Sequence, residues 1–323
     1  MRVAVLDDYQ GRAAGFADWD SLGPDVEVKF FSEPIGADDL PATLGDFDVL
    51  VLMRERSRFP REVLGRLPNL RLLITTGMRN ASVDDAYLRE RGITYCGTQG
   101  TSAPTTEGVP TTAEVAWALI LAVFKRVTVE DRAVREGRWQ LDLPRNLAGA
   151  TLGLAGLGNL GAAMVGPARA FGMNTIAWSE HLSPERAAEV GATRVSKNEL
   201  LAGADVLSIH LVLSARTRGL IGAAELAQMK PTATLINTSR GPIVDEAALI
   251  AALADGTIAA AGLDVFDQEP LPAGHPLTEL ENLVLLPHLG YVSEPAFRNM
   301  YGQAVEDIAA FRDGAPVRVL NDR

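Results

Sequence analysis

Residues 151–161 read TLGLAGLGNLG: a short apolar run leads into Gly156, Gly158 and Gly161 at the spacing G-x-G-x-x-G, and the helix-forming stretch AAMVGPARAFG follows. This order predicts a strand, a tight turn and a helix start. Each glycine has its own reason: the first makes the turn, the second lets backbone approach a pyrophosphate, and the third lets helix and strand pack closely. Phosphates at this place meet the free N–H groups and positive dipole end of the helix, with Asn159 and Leu160 supplying amides. A chain with 30 glycines also produces this spacing by chance. The strand before it and the amphipathic segment after it therefore carry the inference of a dinucleotide site.

The second strand, MNTIAWS at 173–179, ends where an Asp or Glu usually holds the adenosine ribose, about 20 residues past the glycines. This chain has Ser179, Glu180 and His181 there. Ser179 suits a 2′-hydroxyl and leaves room for a 2′-phosphate, whereas an inward Glu180 favours the hydroxyl. Glu180 and His181 are equally readable as solvated loop residues. The cofactor is read as NAD, with NADP left open.

A length of 323 residues predicts two domains. The formal charge of −11, from 30 basic and 41 acidic side chains, argues against nucleic acid or an anionic membrane as a partner. Cys96 is the only cysteine, so no disulfide can form within the chain. The N-terminus reads as a strand, and the most apolar helix, at 113–124, is too short to span a bilayer and carries Glu114. A soluble cytoplasmic protein is expected.

Outward from the glycine run, strand-like segments alternate with helical ones. The first 100 residues hold RVAVLDD, VEVKFF, FDVLVLM, LRLLITTG and ITYCGT, which predicts a flavodoxin-like open parallel sheet. Its ligands should gather at the carboxyl ends of its strands. Two ends are distinctive: Met53-Arg54-Glu55-Arg56, and Thr75-Thr76-Gly77-Met78-Arg79-Asn80. The second is a glycine turn with consecutive N–H groups and an arginine, a cradle for a carboxylate. Each of Arg54, Arg56 and Arg79 is also readable as a surface charge.

The Gly, Thr and Pro rich stretch 97–112 marks a domain crossing and leads into a helix, TTAEVAWALILAVFKRV. Beyond the glycine run, strands recur at DVLSIHL, ATLINTS, AAGLDVF and NLVLLPHLG, completing a Rossmann doubly wound sheet. The tail, EPAFRNMYGQAVEDIAAFRDG, reads as one long helix that returns to the first domain. The expected division is 1–103 with 291–323, and 104–290. No metal-spaced cluster of Cys and His and no G-x-S-x-G elbow appears, so metal and hydrolytic chemistry are unsupported.

Position sorts the four histidines. His181 lies in a loop, and His275, in LPAGHPL, reads as structural. His210 and His288 each close a strand; His210 is assigned to the cofactor groove, and His288 closes the last strand. Arg240 follows ATLINTS, and Glu269 follows AAGLDVF beside Asp264 and Asp267. Arg240, Glu269 and His288 come from three strand ends of one sheet and can converge. Ketone reduction by hydride needs a proton donor, a cation that polarises the substrate, and a partner for the donor. These three residue types supply them.

Taken together, TTGMRNASVDDAYLRERGITYCGT, TLGLAGLGNLG, DVLSIHLVLSARTRGLIG, NTSRGPIVDEAAL, GLDVFDQEPLPAGHPL and LLPHLG resemble the D-isomer-specific 2-hydroxyacid dehydrogenase family, in order and spacing, over nearly the whole chain. The resemblance implies a substrate domain made of both chain ends, a nucleotide domain between them, and a homodimer formed through the nucleotide domains. It implies His288 as acid/base, Glu269 as the carboxylate that orients it and keeps it protonated, and Arg240 as the group binding the substrate carboxylate and carbonyl. The Met78 and Arg79 amides match a carboxylate cradle at Gly77. Asp264 with the Thr238 carbonyl matches the pair orienting the nicotinamide amide, and Val212 and Thr217 fall along the cofactor run.

Departures sit at Ser179, where many members have Asp, at Val212, where proline is common, and at Tyr291, where a second glycine is usual. Tyr291 either shapes the substrate pocket or packs. The Glu269 and His288 pair argues against the related formate dehydrogenases, which pair Gln with His. Phosphite dehydrogenase and a nucleotide-sensing corepressor are the alternatives to a reductase of small 2-oxo acids.

Overall fold

The computed structural model describes residues 1–99 and 109–321. The chain divides into two compact units, Met1–Glu107 with Ser293–Arg323, and Gly108–Val292. The expected boundary at 103/104 lies outside the described residues. The second boundary falls two residues later than expected, for a local reason. Tyr291 packs on the His288 ring and the Val292 N–H bonds the Leu289 carbonyl, so both stay with the unit that carries His288.

In the first unit, β1 (Arg2–Val5), β2 (Glu27–Phe30), β3 (Val49–Leu52), β4 (Leu72–Thr75) and β5 (Thr94–Gly97) form one sheet in the order β2-β1-β3-β4-β5. Every pairing is parallel, as the flavodoxin-like reading requires. The central β3 and β4, VLVL and LLIT, are buried at every position, because helices cover both faces of a parallel sheet. Edge strand β2, EVKF, alternates exposed and half-buried residues instead. Leu50, Leu52, Phe59, Leu64, Leu73 and Leu88 build the core, each full burial stabilising by about 1.5–3 kcal/mol.

The expected tail helix is Glu294–Arg312. Ser293 caps it by accepting the Ala296 N–H, and Pro295 sits in the first turn, where no intrahelical donor is lost. Its buried face, Phe297, Met300, Tyr301, Ala304 and Ile308, packs within the first unit, with Phe297 edge-on to Phe16 and Tyr301 against Trp19.

The second unit holds β6 (Thr151–Ala155), β7 (Asn174–Trp178), β8 (Thr193–Arg194), β9 (Val206–Ile209), β10 (Thr234–Asn237), β11 (Ala260–Leu263) and β12 (Leu283–Leu285). The order β12-β11-β10-β9-β6-β7-β8, all parallel, is the doubly wound Rossmann arrangement with its reversal between β6 and β9. Strand β8 is not foreseen by the sequence, since Thr193 and Arg194 form no apolar run and are exposed at the sheet edge.

Two expected helices are broken. The helix from Thr111 stops at Phe124, because Arg126 is left-handed at φ 53°, and a separate helix, Val127–Arg135, begins after it. The helix after the glycine run is split into Asn159–Ala163 and Val165–Ala170. Pro167 causes the split: it has no N–H for the Ala163 carbonyl and its ring crowds that group. Among the described residues no helix is long and apolar enough to cross a membrane.

Candidate active site

Gly156 closes β6 at φ 101°, a region an L side chain rarely adopts, and a Cβ there would stand 2.5 Å from the His210 carbonyl oxygen. A Cβ on Gly161 would overlap the Gly156 carbonyl, which is the close packing expected of the third glycine. Gly158 is different: its Cβ direction is open space, and no side chain caps the helix it begins. The first-turn N–H groups at Asn159, Leu160 and Gly161 have no intrahelical acceptor, so this end fits a pyrophosphate. Gly156→Ala should weaken dinucleotide binding at least about tenfold through strain alone, read by titration of cofactor fluorescence; unchanged affinity would remove this loop from the binding site.

The end of β7 is tied to the same loop, since the Gly156 N–H donates to the Trp178 carbonyl at 2.8 Å. Ser179, next in sequence, is half-buried, while Glu180 and His181 are exposed. At the end of β9, His210 Nε2 lies 2.9 Å from Ser208 Oγ, and its Nδ1 is shielded with no hydrogen-bond partner among the described residues. Burial pushes its pKa down to about 4, so this imidazole is neutral at physiological pH. Val212 is exposed. The Thr217 hydroxyl donates to the Val212 carbonyl and accepts the Ser214 N–H, so it shapes the loop beyond β9. Thr238 is buried just past β10, its hydroxyl without a partner among the described residues.

Arg240, Glu269 and His288 follow the neighbouring strands β10, β11 and β12, so the fold brings three distant segments to one sheet end. Asn237 Nδ2 donates to the Arg240 carbonyl at 2.9 Å, fixing the turn that presents the guanidinium. The next residue must be glycine, because a Cβ on Gly241 would overlap the Phe266 backbone. The Phe266 N–H in turn donates to Glu269 Oε1 at 3.0 Å, and Glu269 Oε2 is 2.5 Å from His288 Nδ1. One carboxylate oxygen is thus anchored and the other holds the ring, leaving Nε2 for proton transfer.

His288 is left-handed at φ 56°, unusual for a residue other than glycine. Such a conformation costs roughly 1–3 kcal/mol and persists where its surroundings over-determine it. Asp264 supplies the constraint. It is fully buried, and its two oxygens accept the Leu289 and Gly290 N–H groups at 2.7 and 2.8 Å. Burial raises its pKa, an effect opposed by those amides and by His288. The Gly290 carbonyl accepts from Thr112 Oγ1 at 2.5 Å, a support that sequence spacing could not reveal. Asp264, expected beside the nicotinamide amide, has each carboxylate oxygen engaged by one N–H of the His288 loop. Tyr291 packs edge-to-face on His288, ring centroids 5.4 Å apart.

In the first unit, the turn after β4 is cross-linked to the end of β3. Asn80 Nδ2 donates to the Arg54 carbonyl and to Thr75 Oγ1, and the Arg54 N–H donates to Thr76 Oγ1. Gly77, at φ 137°, gives its N–H to Thr98 Oγ1 at 3.1 Å. The Arg54 guanidinium lies over Gly77, with Nη1 3.4 Å from where a Cβ would stand. Among the described residues the Met78 and Arg79 N–H groups meet no acceptor, and both residues are exposed. Arg56 lies over the Tyr9 ring, 5.1 Å from its centroid.

Residues 117–290 match the family model described as D-isomer specific 2-hydroxyacid dehydrogenase, NAD binding domain. A glyoxylate reductase of Aeropyrum pernix is 38% identical over 94% of this chain and 88% of its own length. The crystal structure of a phosphoglycerate oxidoreductase from Vibrio cholerae superposes with a TM-score of 0.90 at 34% identity, covering 98% of this chain and 100% of that one. A D-lactate dehydrogenase of Aquifex aeolicus, solved with NAD and lactic acid, shares the fold at 24% identity, TM-score 0.75, over 97% and 96% of the two chains. With its Rossmann glycines in place and these matches over most of its length, the chain belongs to the D-isomer-specific 2-hydroxyacid dehydrogenase family.

Proposed function

We propose that the protein reduces a small 2-oxo acid reversibly to its (R)-2-hydroxy acid with NADH. The observation that carries this reading is the Glu269 and His288 contact of 2.5 Å, at a sheet end that also presents Arg240. Bound at the Gly156–Gly161 loop, the nicotinamide cofactor supplies the hydride. His288 donates from Nε2 as charge develops on the substrate oxygen, and takes the proton back in the oxidative direction. Glu269 holds Nδ1 and so fixes the ring's orientation. Arg240 binds the substrate carboxylate and polarises the carbonyl, a task its planar fork suits. Asp264 keeps the His288 loop in its left-handed turn.

The first unit is assigned as the substrate domain, with the Met78 and Arg79 amides receiving the carboxylate and Arg54 beside them. Glu180, exposed at the end of β7, favours NAD over NADP by repelling a 2′-phosphate. The test is the rate of NADH and NADPH oxidation with glyoxylate, hydroxypyruvate, pyruvate, phenylpyruvate and branched 2-oxo acids. Turnover of the short acids with NADH is expected. Tight nucleotide binding with no turnover of any would replace this reading with the sensor alternative.

A homodimer in the cytoplasm completes the proposal. Dimer formation is supported by a run of exposed apolar side chains in the second unit, Val127, Val134, Trp139, Leu141 and Leu143, with Trp139 75% and Leu143 88% exposed. Such a run on a monomer surface marks an association face. The double variant Trp139→Asp, Leu143→Asp should sediment as a monomer; a persistent dimer would place the contact elsewhere.

A further inference from the structure

We propose that the C-terminal segment Arg318–Asn321 is a strap that sets the position of the Gly77–Arg79 turn and thereby tunes affinity for the substrate. This rests on the reading that the Met78 and Arg79 amides receive the substrate carboxylate. Gly97 is the point of contact. A Cβ there would overlap the Gly77 carbonyl and stand 2.9 Å from Leu320 Cδ1 and 3.3 Å from Met78 Cα. The strap and the turn therefore converge on the same face of one glycine at the end of β5.

The strap is fastened along its length. The Arg318 carbonyl accepts the Gly97 N–H at 3.1 Å, Val319 bridges Cys96 in antiparallel register, and the Leu320 N–H donates to the Tyr95 carbonyl at 2.7 Å. Asn321 accepts the Tyr95 N–H and donates to the Ile93 carbonyl. Arg318 is held in a left-handed conformation, φ 53°, by side-chain contacts with the tail helix. Its Nε donates to the fully buried Asp307 at 2.9 Å, and its Nη2 to the Gln303 carbonyl, also at 2.9 Å. Gln303 serves the same place twice, since its Oε1 accepts the Gln99 N–H. Between these, Thr98 accepts the Gly77 N–H. The strap thus covers the outer edge of β5, an ordinary protective function for an edge strand. The convergence at Gly97 adds a second task, because Leu320, the Gly77 carbonyl and Met78 border the same space beside that glycine.

The two tasks are separated by which kinetic constant moves. In the full-length enzyme, Leu320→Ala should raise KM for the preferred 2-oxo acid about tenfold with kcat little changed, while the dissociation constant for NADH stays the same. Leu320→Met should restore it, and Gly97→Ala should raise KM further. Gly77→Ala, which distorts the turn directly, is the reference. If Gly77→Ala raises KM but Leu320→Ala and Gly97→Ala only lower the denaturation midpoint, the segment is an edge cover and the proposal is overturned, leaving the turn's role intact. If none of the three moves KM, the turn does not hold the carboxylate, and the proposal falls with that reading. Should Gly97→Ala fail to fold, Leu320→Ala and its methionine rescue decide the matter.

Discussion

His288→Ala is expected to lower kcat by about 10²- to 10⁴-fold, the range of general acid–base catalysis, with NADH affinity unchanged. The expectation follows from the division of labour at this sheet end. The glycine loop that fits the pyrophosphate uses backbone groups between β6 and its helix, whereas His288 closes β12 and is fixed by Glu269 at Nδ1 and by the Asp264 bonds to Leu289 and Gly290. Alanine removes the proton donor while the backbone bonds of the loop remain available. The His288 side chain, 14% exposed, packs against Glu269 and Tyr291, so alanine opens a small space at the site itself. Stopped-flow reduction of the preferred 2-oxo acid, with NADH binding measured in parallel, checks both halves. Wild-type turnover in this variant would remove His288 from the mechanism, and lost nucleotide binding would show that the substitution disturbs more than the donor.

Arg240→Ala should lower kcat/KM for 2-oxo acids by about 10²- to 10³-fold, as expected when a charge-assisted, bidentate donor to a developing alkoxide is lost. Arg240→Lys should recover little, because an ammonium cannot reproduce the planar fork. The turn beneath Arg240 is held by Asn237 through the main-chain carbonyl, and by the fit of Gly241 against Phe266, so neither support is lost with the side chain. The effect should therefore appear in substrate kinetics and not in folding. Steady-state kinetics with the melting temperature as control provide the check; an unchanged kcat/KM would assign the carboxylate to the Gly77–Arg79 turn alone.

Much of this fold is legible in the chain because its signals are local. Apolar runs such as VLVL and LLIT are long enough to be recognised as buried parallel strands, and the glycines of β6 and its turn carry their conformational reason with them. The positions of Arg240, Glu269 and His288 after three successive strands of one sheet were readable for the same reason. What was not legible depends on contacts between distant residues. The Thr112 hydroxyl that holds the Gly290 carbonyl is 178 residues away, and Leu320 and the Gly77–Met78 turn converge on one face of Gly97. The family resemblance named Asp264 as a cofactor contact, whereas its burial and its two bonds to the His288 loop follow from the packing of β11 against β12. Strand β8 escaped because two polar residues carry no periodicity. The helix breaks at Arg126 and Met164 differ in kind: nothing in the sequence marks Arg126 as left-handed, whereas Pro167 is visible but acts one turn before its own position.

The most direct test is chiral analysis of the product formed from NADH and whichever prochiral 2-oxo acid the enzyme turns over fastest. The account predicts the (R)-2-hydroxy acid alone, in one-to-one proportion with NADH oxidised. The (S) isomer, a racemate, or NADH oxidation without a hydroxy acid product would contradict it.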